Sequence, residues 1–120
     1  MMNTPIVGFV KEYSKKNMAR LHMPGHKGKA FLGCESLDIT EIEGADVLYS
    51  SNGIIRESES NASQLFGTAR TLYSCQGTSL SIRAMLYLAL LHGNGNRRVL
   101  AMRNAHKVFM TAVTLLDIDV

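Results

Sequence analysis

Near the N-terminus the apolar positions recur at helical spacing: Ile6, Val7, Phe9, Val10 and Tyr13 form one stripe behind a Thr4-Pro5 pair. A hydroxyl residue ahead of a proline is a helix-start signal, because the missing proline N–H falls where no intrahelical partner exists. The pattern predicts a short amphipathic helix that ends near Lys15 and Lys16 and whose apolar face must be covered by the rest of the chain or by another copy. The periodicity then stops. From Leu21 to Gly33, Met23-Pro24-Gly25 is a turn signal and Gly28 and Gly33 interrupt any regular alternation, so this stretch reads as a loop. Asp38, Glu41, Glu43 and Asp46 read as a solvated acidic surface. Val47, Leu48 and Tyr49 are strand-like before the break at Ser50-Ser51-Asn52-Gly53.

The second half alternates. Between Arg56 and Gly67, Ala62, Leu65 and Phe66 mark one helix face, with Glu57 and Glu59 near the start and a glycine stop at the end. Thr71 to Cys75 is a short strand pattern. Leu80 to His92 is apolar almost all round, which predicts a buried helix stopped at Gly93-Asn94-Gly95. Arg98 to Met102 reads as the next strand, and His106 to Leu116 as a helix with Val108, Phe109, Ala112, Val113 and Leu116 on a common face. Asp117 to Val120 begins another extended piece. The order strand, helix, strand, helix, strand predicts an α/β sheet with parallel neighbours and right-handed crossovers. That sheet is unfinished, since a doubly wound domain commonly needs about 200–250 residues and this chain has 120.

Composition narrows the class. With 46% hydrophobic and 19% charged residues the chain is globular rather than disordered. Thirteen basic against ten acidic side chains give a net charge of +3, too small and too interspersed to indicate a nucleic-acid partner. The longest apolar run, Ala84 to Leu91, falls short of the roughly 18–20 residues a membrane span needs, and no basic head precedes an apolar stretch at the N-terminus. A cytoplasmic protein is expected. Cys34 and Cys75 stand far apart and outside any Cys-x-x-Cys pattern, and His92 and His106 have no near partner at zinc spacing. Neither a disulfide framework nor a metal site is expected, and both thiols are expected to be reduced and partly buried.

Three features could carry chemistry. Gly77-Thr78-Ser79 lies between a strand pattern and a helix start, where free backbone N–H groups, the helix dipole and two hydroxyls suit a phosphate. The same residues serve equally as an ordinary helix cap, and they match neither a P-loop nor a Gly-x-Gly-x-x-Gly turn. His106 follows the next strand, and in parallel α/β units the C-terminal strand ends share one ligand-binding edge. Its ring could lie on a planar aromatic cofactor or cap the following helix. Arg20, His22, His26, Lys27 and Lys29 form a basic loop that either faces an anion or is simply solvated.

Taken together, His22-Met23-Pro24-Gly25-His26-Lys27-Gly28, Asp38-Ile39-Thr40-Glu41, Phe66-Gly67 ahead of Gly77-Thr78-Ser79, and Arg103-Asn104-Ala105-His106-Lys107 resemble the Orn/Lys/Arg decarboxylase family of pyridoxal-phosphate enzymes. The order and spacing agree over nearly the whole chain. The resemblance implies an incomplete fold-type-I, pyridoxal-phosphate-dependent transferase-like large domain preceded by an N-terminal helix and loop segment. It implies a homodimer that decarboxylates a basic amino acid, lysine, ornithine or arginine, to a polyamine precursor. The family's phosphate-binding turn falls on Gly77, Thr78 and Ser79, and its ring-stacking histidine on His106. The chain departs from the family pattern at Leu80, Ser81, Ile82 and Arg83 after the turn and at Val108 after His106-Lys107.

Decarboxylation on pyridoxal phosphate needs a Schiff-base lysine and an acid that keeps the pyridine nitrogen protonated. The family's Ser-x-His pattern before that lysine and its Asp-x-Ala-His pattern are both missing from this sequence, and neither Lys27 nor Lys107 has the right context. The expectation is therefore an N-terminal piece of a decarboxylase, inactive alone. Residues 1–55 form the N-terminal helix and loop segment, and residues 56–120 the start of the cofactor-binding domain. The alternative is a non-catalytic module derived from that family, which self-associates through its open sheet edge and the apolar helix 80–92 or binds a phosphorylated ligand at Gly77.

Overall fold

The computed structural model describes residues 3–29 and 31–120. Four helices are formed: α1 (Pro5–Lys15), α2 (Ile54–Phe66), α3 (Gly77–His92) and α4 (Lys107–Leu115), with short 3-10 turns at Glu35–Leu37 and Leu48–Ser50. The chain divides into two compact units, Met1–Tyr73 and Ser74–Val120. No helix among the described residues is long and apolar enough to cross a membrane.

In the first unit α1 packs against α2 and against the 3-10 turn at Glu35–Leu37. Proline opens α1 as expected, but the Thr4 side chain makes no cap hydrogen bond. Asn3 instead ties the two helices together, its side-chain amide donating to Glu57 and its carbonyl accepting from Asn61, both at 2.9 Å. Phe9 and Tyr13 stack one turn apart, ring centroids 6.4 Å from each other. Gly44 takes a left-handed φ of +84° directly beneath Phe9, where an added Cβ would come within 2.9 Å of the ring. At its far end α2 closes on Gly67, left-handed at φ +64°, whose N–H returns to the carbonyl of Ser63.

Asp46 sets the start of α2. Its carboxylate accepts the N–H groups of Val47 (2.8 Å), Asn52 (3.1 Å), Gly53 (2.9 Å) and Ile55 (3.0 Å), so a side chain from the preceding loop satisfies the first turn of the helix. Desolvation works against the charge, yet the four amides outweigh it and hold the carboxyl at about 2, below its usual 3.8. Asp46 is therefore not part of a solvated acidic surface, and of the strand-like Val47 to Tyr49 only Val47 is extended, while Leu48 and Tyr49 enter a 3-10 turn.

In the second unit α3 packs on α4 around Leu86, Ala112 and Val113, with Ile82, Val99, Phe109, Leu116 and Ile118 at the margin of the core. Leu86 is the one buried residue of α3, whereas Met85, Tyr87, Leu88 and Leu91 are all more than half exposed. The fully buried helix read from the apolar run is thus corrected: one face meets α4, and nothing among the described residues covers the others. The helix stops at Gly93 with φ −83°, and the left-handed positions are the two that follow, Asn94 and Gly95.

The α/β sheet is corrected as well. Among the described residues none lies in a β-strand: Thr71 to Cys75 is irregular, and the segments at 98–102 and 117–120 meet only in one parallel bridge between Arg98 and Asp119. Val99 N–H donates to the Asp119 carbonyl and Asp119 N–H to the Arg97 carbonyl, both at 2.9 Å, which gives the parallel pairing expected of neighbours joined by a helix. The ladder goes no further because a pair of parallel strands is not stable on its own; such strands need further neighbours and cover on both faces. Leu100 and Met102 accordingly stand in solvent.

Candidate functional site

The first residue of α3 is Gly77, and it adopts φ +61°, a conformation that L side chains disfavour. This left-handed residue places Thr78 and Ser79 in the opening turn, with Thr78 exposed and Ser79 half-buried. The N-cap residue Gln76 contributes no side-chain cap bond. Ser74 Oγ is directed to the Gly77 carbonyl (3.2 Å) and accepts from the Gln76 N–H (3.3 Å), which shapes the approach to the turn. The opening amides of α3 therefore combine positive dipole potential with two hydroxyls and no capping side chain, a fit to an oxyanion. A Cβ built on Gly77 would meet nothing within 4 Å, so the glycine is required by backbone conformation alone.

His106 is exposed and caps α4, its Nδ1 accepting the Val108 N–H at 3.2 Å. With Nδ1 accepting, Nε2 is the ring nitrogen left free to donate. Capping accounts for the ring's edge and leaves its faces open. Both predicted elements of the site, the Gly77 turn and His106, thus lie in the Ser74–Val120 unit.

The His22 to Gly28 loop belongs to the first unit, and the basic side chains in and beside it contact α1, the segment at residues 35–38 and the loop's own backbone. Arg20 lies over the Tyr13 ring, 5.1 Å from the centroid, and its guanidinium donates to the carbonyls of Glu35 (3.3 Å), Ser36 (2.5 Å) and Asp38 (3.1 Å). An added Cβ on Gly28, left-handed at +76°, would come within 2.7 Å of that guanidinium. His26 Nδ1 accepts the Gly28 N–H and its Nε2 faces Asp38 Oδ2, both at 3.1 Å. Lys27 Nζ donates to the His22 carbonyl. His22 Nδ1 lies against the Met23 carbonyl, which leaves Nε2 to accept from the Tyr13 hydroxyl at 2.8 Å. Arg20 and Lys27 are thus neither anion-facing nor simply solvated, since Arg20 holds the carbonyls of residues 35, 36 and 38 and Lys27 that of His22, while Lys29 is exposed.

Two further expectations change. Cys34 and Cys75 are both exposed rather than partly buried. Glu59, read only as a dipole-favourable residue near a helix start, is 2% exposed; its Oε1 accepts the Tyr73 N–H at 2.9 Å. Its spacing from Ala62 and Phe66, three and seven residues on, was the available signal that it shares their helix face.

The family model described as "Orn/Lys/Arg decarboxylase, major domain" matches residues 4–119. The chain belongs to this family of decarboxylases and represents its N-terminal portion. Among curated proteins it is 32% identical to an arginine decarboxylase of Bacillus subtilis and 33% identical to one of Bacillus cereus, in each case over 92% of this chain. An uncharacterized protein of Bacillus subtilis, YaaO, is 32% identical over 95% of the chain. The chain spans about a quarter of the length of these relatives. No solved structure matches it.

Proposed function

We propose that this chain contributes the phosphate-binding turn and the ring-stacking histidine of a pyridoxal-phosphate-dependent enzyme that decarboxylates a basic amino acid. The observation that carries the reading is Gly77 at φ +61° opening a helix with no side-chain cap, with Thr78 and Ser79 in its first turn. Two of the relatives are arginine decarboxylases, which favours arginine among the three substrates of the family. In the whole enzyme, a fold-type-I homodimer, residues 1–55 act as an N-terminal helix and loop segment and residues 56–120 begin the cofactor-binding domain; this division concerns role, not compactness.

Pyridoxal phosphate, when bound, supplies the electron sink for the pair released when the carboxylate leaves. The residues of this chain hold and orient it. The amides of the first turn of α3 and the hydroxyls of Thr78 and Ser79 would hold the phosphate, and the positive end of the helix would offset its charge. The ring of His106 offers a flat face for a planar heterocycle, while its cap to Val108 fixes the ring's orientation. Neither Lys27 nor Lys107 has the sequence context of the family's Schiff-base lysine, so turnover would draw that lysine and the ring-nitrogen acid from elsewhere in the whole enzyme.

Titration of the chain with pyridoxal phosphate and with phosphate-free pyridoxal tests this reading. Pyridoxal phosphate is expected to bind more tightly, and Thr78→Ala with Ser79→Ala to weaken it by about fivefold per lost hydrogen bond. His106→Ala should weaken both ligands alike. Equal affinity for the two ligands, or no change in the Thr78 and Ser79 variants, overturns the assignment. The chain incubated with cofactor and lysine, ornithine or arginine should release no carbon dioxide; measurable release would show that the lysine lies within this chain.

A further inference from the structure

A cavity lies just before this turn in sequence, within the Met1–Tyr73 unit. It encloses about 430 Å³ between the C-terminal half of α2 and the segment that follows Gly67, and is lined by Arg56, Glu59, Ser60, Ser63, Arg70 and Thr71 among others. Arg70 makes no ion pair or hydrogen bond among the described residues. Glu59 is almost wholly buried, with Oε1 taken by the Tyr73 N–H, while Oε2 has no hydrogen-bond partner. The nearest cation, Arg56 Nη1, stands 3.8 Å from Oε2, beyond hydrogen-bond reach, on a side chain that is 44% exposed.

A buried carboxylate oxygen without a donor is costly. Arg56 is 44% exposed and lines the same cavity as Glu59, so a ligand there would reach Oε2 by displacing the Arg56 side chain. The Ser60 and Ser63 hydroxyls donate to the Arg56 and Glu59 carbonyls, both at 2.9 Å, so the lining's attraction for an oxyanion rests on its two guanidiniums. Glu59 would repel an anion that carries no proton to share, but it would accept a hydrogen bond from one that does. We infer that this cavity binds a small oxyanion that also carries an O–H group, either a hydroxycarboxylate or a partly protonated phosphate, with Arg56 and Arg70 on the charge and Glu59 Oε2 accepting from the hydroxyl. This site is independent of the pyridoxal-phosphate reading, since its residues all precede Gly77 and belong to the other unit.

Matched ligand pairs test the inference on the intact chain: glycolate against acetate, and phosphate against sulfate at mildly acidic pH. Binding is followed through the backbone amide resonances of Ser60, Arg70 and Tyr73, which separates this cavity from any phosphate bound at Thr78 and Ser79. Glycolate and phosphate are each expected to bind about tenfold or more tightly than their partners that lack the O–H. Preference for phosphate alone identifies the phosphate source, and preference for glycolate alone the hydroxy acid. Glu59→Gln should abolish the preference. Arg70→Ala, a surface change that keeps the Glu59 to Tyr73 bond, should weaken all four ligands while the preference survives, so the test stands even where the Glu59 variant fails to fold. Equal binding of acetate and glycolate together with equal binding of sulfate and phosphate overturns the inference. So does an Arg70→Ala variant with unchanged affinity, or the absence of shifts at these amides with every ligand.

Discussion

Replacing Gly77 with alanine isolates the backbone's share in the phosphate turn. At φ +61°, with no heavy atom within 4 Å of the added Cβ, the substitution meets no steric obstacle, and its whole cost is the strain of a left-handed L-residue. That strain is about 1–2 kcal/mol. The variant either keeps the turn and loses that much stability in the Ser74–Val120 unit, or relaxes the first turn of α3 and must restore it on binding phosphate. Stability loss and affinity loss for pyridoxal phosphate should therefore sum to about 1–2 kcal/mol, a factor of about 5–30 in the combined equilibrium constant. Gly67→Ala is the matched control: Gly67 is equally left-handed at +64° and equally unobstructed, but it closes α2 in the other unit. It should show the same strain with no loss of cofactor affinity. Amide exchange of α3 measures the stability share and fluorescence titration the affinity share. If Gly77→Ala changes neither, the left-handed turn is not the conformation the phosphate requires. If Gly67→Ala weakens cofactor binding as much as Gly77→Ala, the loss is not local to the turn.

Two other outcomes follow from the packing and the electrostatics. Leu86→Ala removes the main apolar contact of α3 with α4, and because the site is ringed by half-buried residues that can close in, the cost should be about 2–4 kcal/mol. Hydrogen exchange in α3 and α4 should accelerate while α1 and α2 keep their protection; unchanged exchange in α3 would show that Leu86 is not the centre of that core. Asp46 has a folded value depressed to about 2 from 3.8, so its contribution is fully present above about pH 4 and is lost as pH falls through 2. Asp46→Asn should lower the stability of α2 at neutral pH and flatten the loss between pH 4 and 2, seen in the acid limb of a circular-dichroism titration. An acid limb identical to that of the unsubstituted chain would show that the four amides do not hold a charged carboxylate.

Local signals in the sequence were sufficient wherever the stabilising partner is also local. Pro5 opening α1, Gly67 closing α2 and His106 capping α4 each act within a few residues of their own helix, and each was legible. The start of α2 was placed two residues late because its cap, Asp46, reaches it from eight residues before Ile54, a distance at which no capping pattern is read. The start of α3 was placed three residues late because Gly77, taken as a turn residue, is itself the left-handed first residue of the helix. Strand propensity at 71–75, 98–102 and 117–120 reports a fit to a pleated, flanked surface rather than a backbone preference. Without flanking strands only the Arg98 to Asp119 bridge forms. Cys34 and Cys75 were misplaced for a related reason, since burial depends on what covers a segment. Glu59 was missed because a carboxylate on a helix face is ordinarily read as solvated, and only the return of the chain at Tyr73 buries it.

The most direct test of the central claim is a backbone amide map of the chain titrated with pyridoxal phosphate. The largest shifts should fall on Gly77, Thr78 and Ser79, with ring-current shifts at His106 and Lys107, while the loop from His22 to Gly28 stays still. Shifts concentrated in that loop, or spread evenly over the exposed face of α3, would contradict the placement of the cofactor site.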